Sequence, residues 1–267
     1  KAAGQFTYLP ANKAAWTNGE PGTNWIAGYA FSEEDIFKCV ATDFVYLDLG
    51  EGRYSVVGYL GSDEAVRIPG ELTGEKVRVY KETTYDENGL PVASYEEREL
   101  TGSVVEIADK AFNYKTGSPI VQLKIPASVE KIGESAFLQS NLESISFEEG
   151  SKLKSIGETA FARTNLVSID IPEGVEWIGE DAFVAATMAS INVSAGNATY
   201  TSDDGILFSK DRKTLVFYPQ NRAAKSYTLP AGVEALANCA FMAQYDDFVT
   251  NLETLNLDNG SLKTIGR

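Results

Sequence analysis

Between Leu123 and Phe183 the apolar positions of the chain repeat. The segments LKIPASVEKIGESAF, ISFEEGSKLKSIGETAF and IDIPEGVEWIGEDAF align so that Ile132, Ile156 and Ile178 coincide. Each isoleucine is followed by a glycine (Gly133, Gly157, Gly179) and, four residues later, by a phenylalanine (Phe137, Phe161, Phe183). Within a unit the pattern predicts a short strand. In LESISF, Leu142, Ile145 and Phe147 point to a core while Glu143, Ser144 and Ser146 face solvent. Pro126 and Pro172 stand at the strand end, where a missing N–H leaves no ladder bond unmade. A second apolar step follows as V-x-x-I (Val129/Ile132, Val175/Ile178) or L-x-x-I (Leu153/Ile156). The glycine after it predicts a sharp turn with positive φ. Ala-Phe closes the unit, and the ring fills the space between coils, a burial worth about 1.5–3 kcal/mol.

The isoleucines are spaced 24 and 22 residues apart, which excludes repeats built from helical pairs and lies in the leucine-rich range. No single coil buries its own apolar edge, so stability comes from stacking. The phrase L-x-x-I-x-I-P-x-x-V-x-x-I-G-x-x-A-F resembles the BspA-like leucine-rich repeats of bacterial surface proteins. Residues 54–267 carry it or a degenerate copy, and residues 1–53 carry none of it. The resemblance implies an α/β leucine-rich-repeat solenoid, mostly β, with short parallel strands in each coil and short helical turns. It also implies a secreted or surface-exposed binding protein without catalytic residues.

Several stretches depart from the phrase. Residues 1–31 are rich in aromatics and turn formers, and Ser32-Glu33-Glu34-Asp35 predicts a capped helix running to about Ala41, with Ile36, Phe37 and Val40 on its apolar face. Phe44 to Leu60 reads as a hairpin turning at Gly50-Glu51-Gly52. After Val66-Arg67-Ile68-Pro69 the expected continuation is delayed to Val104, Ile107 and Phe112, which predicts an inserted, protruding β-hairpin at about 75–103 with its turn at Asp86–Gly89. A second insertion is expected at about 195–224, its strands Ile206–Phe208 and Leu215–Tyr218 leaving the coil stack as a hairpin. At the other end, Leu262–Arg267 matches L-x-x-I-G but lacks the Ala-Phe, so a further coil or a cap is expected beyond Arg267.

Charge narrows the partners. The net charge of −15 disfavours nucleic-acid backbones and anionic membranes. No apolar run is long enough for a transmembrane helix. Lys1 follows no signal peptide and reads as a trimmed terminus, which leaves room for a lipid anchor upstream. Histidine is absent, which removes Ser-His-Asp and Cys-His catalysis and His-containing zinc sites together. Cys239 occupies the position held by Ser135, Thr159 and Asp181 and reads as a free, semi-buried thiol, with no disulfide expected to Cys39. Asp203-Asp204-Gly205 lacks the spacing of a calcium loop and reads as a turn. No cofactor or metal is implied.

The solvent-facing strand positions form two columns, Gln122/Ser144/Ser168/Ser190/Ser226/Thr254 and Lys124/Ser146/Asp170/Asn192/Thr228/Asn256, polar and flat with no aromatic platform. Trp177 breaks the pattern on the second face, aligned with Lys131, Ser155, Ala235 and Thr264. It either packs on a neighbouring Lys or Glu stem or serves as an interface hot spot. The remaining candidate partner-binding residues are Tyr85 and Tyr95 on the first hairpin and Trp16 and Trp25 in the N-terminal segment. That segment reads either as a solenoid cap or as a ligand pocket. The functional expectation is a non-catalytic adhesion or binding module of the bacterial outer surface with a protein or glycan partner. The alternative is an accessory envelope lipoprotein or scaffold of a nutrient-uptake complex.

Overall fold

The alternating pattern becomes a stack of two-strand coils in the computed structural model, which describes residues 37–85, 91–242, 251–258 and 260–266. The regular structure of the described residues is almost all strand, and their helical content is two 3-10 turns, Ala41–Asp43 and Tyr114–Thr116. The first strand of successive coils is β3 (Ala65–Arg67), β6 (Gln122–Ile125), β8 (Ser144–Phe147), β10 (Ser168–Ile171) and β12 (Ser190–Val193), then β16 (Ser226–Thr228) and β18 (Thr254–Asn256). Their parallel registers pair Gln122 with Ser144, Ser168 with Ser190 and Ser226 with Thr254, as the column alignment requires.

The second ladder is longer. It comprises β7 (Lys131–Ile132), β9 (Ser155–Ile156) and β11 (Trp177–Ile178), continued by a hairpin of β1 (Phe44–Gly50) and β2 (Arg53–Tyr59) and by the long strands β4 (Glu71–Tyr85) and β5 (Pro91–Ile107). In the seven-stranded order β11-β9-β7-β5-β2-β1-β4, Ile107, Ile132, Ile156 and Ile178 lie in register. The delayed repeat at Val104 and Ile107 is therefore a true coil position, at the root of the long hairpin. That hairpin is only half outside the body: Val77, Val79 and Leu100 are buried, and Tyr46 of β1 pairs with Val79.

Beneath the ladders runs a column of rings. Phe112, Phe137, Phe161 and Phe183 stack with centroids 5.3, 5.2 and 5.9 Å apart. The first three are each tied to the next coil by a backbone bond. Phe112 N–H donates to Ala136 O (2.7 Å), Phe137 N–H to Ala160 O (2.8 Å) and Phe161 N–H to Ala182 O (2.8 Å).

Four expectations need correction. The repeat glycines do not hold positive φ; that conformation belongs two residues later to Ser135, Thr159, Asp181 and Cys239, at φ 54°, 51°, 57° and 56°. The glycines instead allow close approach, since a Cβ on Gly157 would stand 2.5 Å from Gly133 C, and one on Gly179 2.5 Å from Glu158 N. Second, the first-face ladder is not continuous. Between β8 and β10 the bond from Val167 N–H to Glu143 O stretches to 3.4 Å, and beyond β12 the Ile191 N–H turns to Gly205 O.

Third, the second insertion does not leave the stack. It forms β13 (Tyr200–Asp203), β14 (Ile206–Ser209) and β15 (Thr214–Phe217), an antiparallel meander whose last strand pairs in parallel with β17 (Ala235–Leu236), itself paired with β19 (Thr264–Ile265). The meander is a partition. Leu207 and Phe217 pack into the larger core on one side, while Ile206, Phe208, Leu215 and Tyr218 build a second core on the other. Phe217 meets Phe183 at 5.8 Å and its neighbour Tyr218 meets Phe241 at 5.0 Å, so the ring column passes through the partition on adjacent, oppositely facing residues. Fourth, the part of the expected helix that falls in described residues is not helical over Phe37–Val40, and only Ala41 joins the 3-10 turn that follows. Lys38 forms a parallel bridge to Val66, its N–H donating to Ala65 O (3.0 Å), and so prolongs the first ladder by one step. Edge pairing won over the capping signal; residues 32–36 lie outside the described residues.

Candidate binding surface

The sheet face formed by β5, β7, β9 and β11 is charged and internally matched. Lys131 Nζ meets Glu106 at 2.9 Å, Lys154 Nζ meets Glu176 at 3.0 Å, and Arg53 reaches Glu130 at 3.1 Å. The Glu106 carboxylate raises the Lys131 ammonium above the ordinary lysine value. The first pair joins the neighbouring strands β5 and β7, the second joins the residues just before β9 and β11, and the third reaches from β2 past β5 to the residue before β7. Exposed pairs of this kind contribute about 0–1 kcal/mol each.

Trp177 interrupts this face on the outer strand β11, in register with Ser155 and Lys131. It is 48% exposed, and among the described residues its ring has no aromatic or cationic partner. The strand edge beside it is closed by Tyr200, whose hydroxyl accepts the Ile178 N–H at 3.0 Å. The ring is thus half-covered and half-open to solvent.

Tyr95 lies elsewhere on the same sheet. It is 46% exposed and pairs across the long hairpin with Tyr80, the rings meeting edge-on at 6.5 Å. Around the pair, Lys76 bridges Glu97 at 2.8 Å and Arg98 bridges Asp48 at 2.9 Å. The Gly50 N–H and Arg98 hold the Asp48 carboxyl below the usual carboxylate range. Tyr85 takes part in the hairpin backbone opposite Pro91. Trp16 and Trp25 lie outside the described residues.

Trp177 and Tyr95 do not converge on one patch. Three strand spacings separate β11 from β5, about 14 Å, and Tyr95 stands eleven residues up β5 from Glu106, about 35 Å. Two further aromatics, the half-buried Tyr80 and the exposed Tyr114, carry no signal in the sequence. Tyr80 is visible only once the hairpin register is known. Tyr114, 52% exposed with the Lys115 ammonium 5.7 Å from its ring, follows a repeat phenylalanine by two residues and carries no pattern signal.

Among the described residues no three of His, Cys, Asp or Glu are grouped to hold a metal ion. Cys39 and Cys239 are both free. Burial, and then the Asp181 carboxylate beside it, push the Cys239 thiol up to about 12, which keeps it protonated and unreactive at neutral pH. Asp203 pairs with Arg212 and Asp204 with Arg222, so the turn carboxylates face guanidinium groups. Among the described residues no helix is long and apolar enough to cross a membrane.

Residues 92–206 match the family described as "BspA type Leucine rich repeat region" in six copies. No curated protein matches the chain. Among solved structures, a leucine-rich repeat protein from Eubacterium ventriosum superposes with a TM-score of 0.52 at 17% identity, covering 80% of this chain and 57% of its own length. The chain thus spans little more than half of that relative. The Treponema pallidum leucine-rich repeat protein gives 0.42 at 23% identity over 85% of both chains. One from Bacteroides ovatus gives 0.41 at 23% identity over 85% of this chain and 67% of its own. With Ile132, Ile156 and Ile178 in register above the phenylalanine column, the chain is a leucine-rich-repeat solenoid whose residues 92–206 are a BspA-type repeat region.

Proposed function

We propose that the protein is a non-catalytic binding module of the bacterial outer surface, holding a protein partner on the second sheet face of its solenoid. Trp177 carries this reading. A tryptophan costs little conformational entropy to immobilise and gains most from being covered, so one left half-exposed among self-matched ion pairs is an anchor waiting for a pocket. The long hairpin, with Tyr80 and Tyr95 near its outer half, offers the same partner a second contact. Stacked coils supply a rigid base, which lowers the ordering cost of association.

The test is a binding screen against extracellular-matrix proteins and polysaccharides, followed by Trp177→Ala on any hit. The expected outcome is a loss of at least tenfold in affinity with an unchanged thermal midpoint. A hit whose affinity ignores Trp177→Ala would place the binding surface elsewhere.

A further inference from the structure

Where the first ladder breaks beyond β12, a cleft of about 600 Å³ opens between that strand and the loop leading to β16. Its polar walls are Ser190 and Asn192 from β12, Ser202 from β13, and Asp204 and Arg222 from the two loops; Ala223 and Ala224 close it without filling it. It is a shallow, open depression, so a ligand there would stay partly exposed to solvent.

Arg222 is the centre of this arrangement. Its side chain is only 12% exposed, yet its counter-ion Asp204 is 85% exposed on a turn residue of positive φ. The guanidinium donates to both the Asp204 carboxylate and the Asp204 carbonyl, and lies 5.6 Å from the Tyr218 ring centroid. Its Nε is buried with no partner, and so are the hydroxyls of Tyr218 and of Tyr227, whose rings are 5.0 Å apart. Buried polar groups are normally satisfied, so the unpaired Nε of a residue that lines the cleft, beside two rings with unpaired hydroxyls, calls for ordered water.

The walls are pre-set. Asn221 N–H donates to Met188 O (2.9 Å), and Asn251 holds the Arg222 carbonyl (2.9 Å), so the loop is tied at both sides. Gly205 has no side chain because a Cβ there would stand 2.8 Å from Ser190 Cβ and 3.2 Å from the guanidinium.

We propose that this cleft binds a neutral saccharide, with Asp204, Arg222 and Asn192 as the recognising side chains. The wall set offers a carboxylate acceptor, an amide and hydroxyls side by side. A sugar hydroxyl, both donor and acceptor, matches each of these. An anionic ligand is disfavoured because Asp204 already neutralises the arginine and the chain carries −15 overall. The small alanine walls lack the apolar area that an anchoring peptide side chain would need. This site is separate from the Trp177 face and stands without it.

The test is an amide chemical-shift titration of the full chain with galactose, glucose, maltose and cellobiose. Saturable shifts confined to residues 189–192, 202–205 and 222–224 are expected for at least one sugar. Asp204→Ala should weaken that binding at least tenfold. Because this change strips Arg222 of its counter-ion, Asn192→Ala, on an exposed position, serves as the second variant and should weaken binding at least threefold. Trp177→Ala should leave it unchanged. Absence of shifts at these amides with all four sugars would overturn the proposal, as would equal affinity in the Asn192→Ala protein. Binding of galacturonate in preference to galactose would also overturn it, since the ligand would then be displacing Asp204.

Discussion

At the scale of single residues, stability concentrates in the ring column and in a few satisfied polar groups. Phe161 is fully buried with parallel rings on both sides, 5.2 and 5.9 Å away. Phe161→Ala should cost about 3–5 kcal/mol, because neighbouring coils locked by backbone bonds collapse poorly onto the void. Urea melts showing a loss below about 1 kcal/mol would contradict this. Asn197 shows the polar counterpart. Its amide donates to Pro172 O and Val175 O, and its carbonyl accepts from Thr199 and Tyr200 N–H, so a fully buried side chain is fully used where the partition begins.

Tyr227 sets a pH dependence. Burial first, then the neighbouring Tyr218, push its phenol up to about 12 from an ordinary value of 10.0. The folded state therefore holds this proton more tightly than the unfolded chain. The associated stability is fully present below pH 10 and is lost as pH rises through 12. Thermal melts from pH 9 upward should show a steepening decline that Tyr227→Phe makes shallower. An identical slope in the variant would show that Tyr227 is not the titrating group.

Among elements, the long hairpin divides at about Tyr80. Below it, Val77, Val79 and Leu100 belong to the core. Above it, among the described side chains, none is buried. Replacing Lys81–Ser94 by an Asn-Gly turn should leave the circular-dichroism spectrum and the melting midpoint nearly unchanged while weakening any partner that touches the outer half of the hairpin. A drop in the midpoint of more than about 4 °C, the equivalent of roughly 1–2 kcal/mol in a chain this long, would mean that the outer half supports the fold.

Across the whole molecule, electrostatics is unfavourable on balance. The coil-joining ion pairs are exposed and individually weak. Against them stands an overall charge of −15, with Asp109, Glu134, Glu158 and Glu180 at equivalent, exposed positions of successive coils. Like charges one coil apart repel within a Debye length, which is about 10 Å at 0.1 M salt. Raising sodium chloride from about 0.02 M to about 0.5 M should therefore raise the melting midpoint, since screening removes more repulsion than attraction. A falling midpoint would show that the cross-coil pairs dominate.

The repeat itself was legible in the chain. The spacing of Ile132, Ile156 and Ile178, the closing phenylalanines and the polar columns all follow from a period that each coil restates, so local pattern and packing agree. The hairpin at Gly50–Gly52 and the delayed coil at Val104 were readable for the same reason. What the sequence left open depends on which coil lies next to which. The repeat glycines look like turn formers in isolation, and only the stacked backbones, 2.5 Å from an added Cβ, reveal them as contact points. Phe37–Val40 depart from the expected helix because the Val66 edge offers Lys38 a partner that no local signal announces. The second insertion is as apolar as any coil, and nothing in its own pattern says that both faces will be covered; the two cores on either side of it decide that. The cleft around Arg222 is the clearest case. Asp204, Asn192 and Arg222 are scattered polar residues in the chain, and they become a site because a broken ladder leaves a gap between coils for them to line.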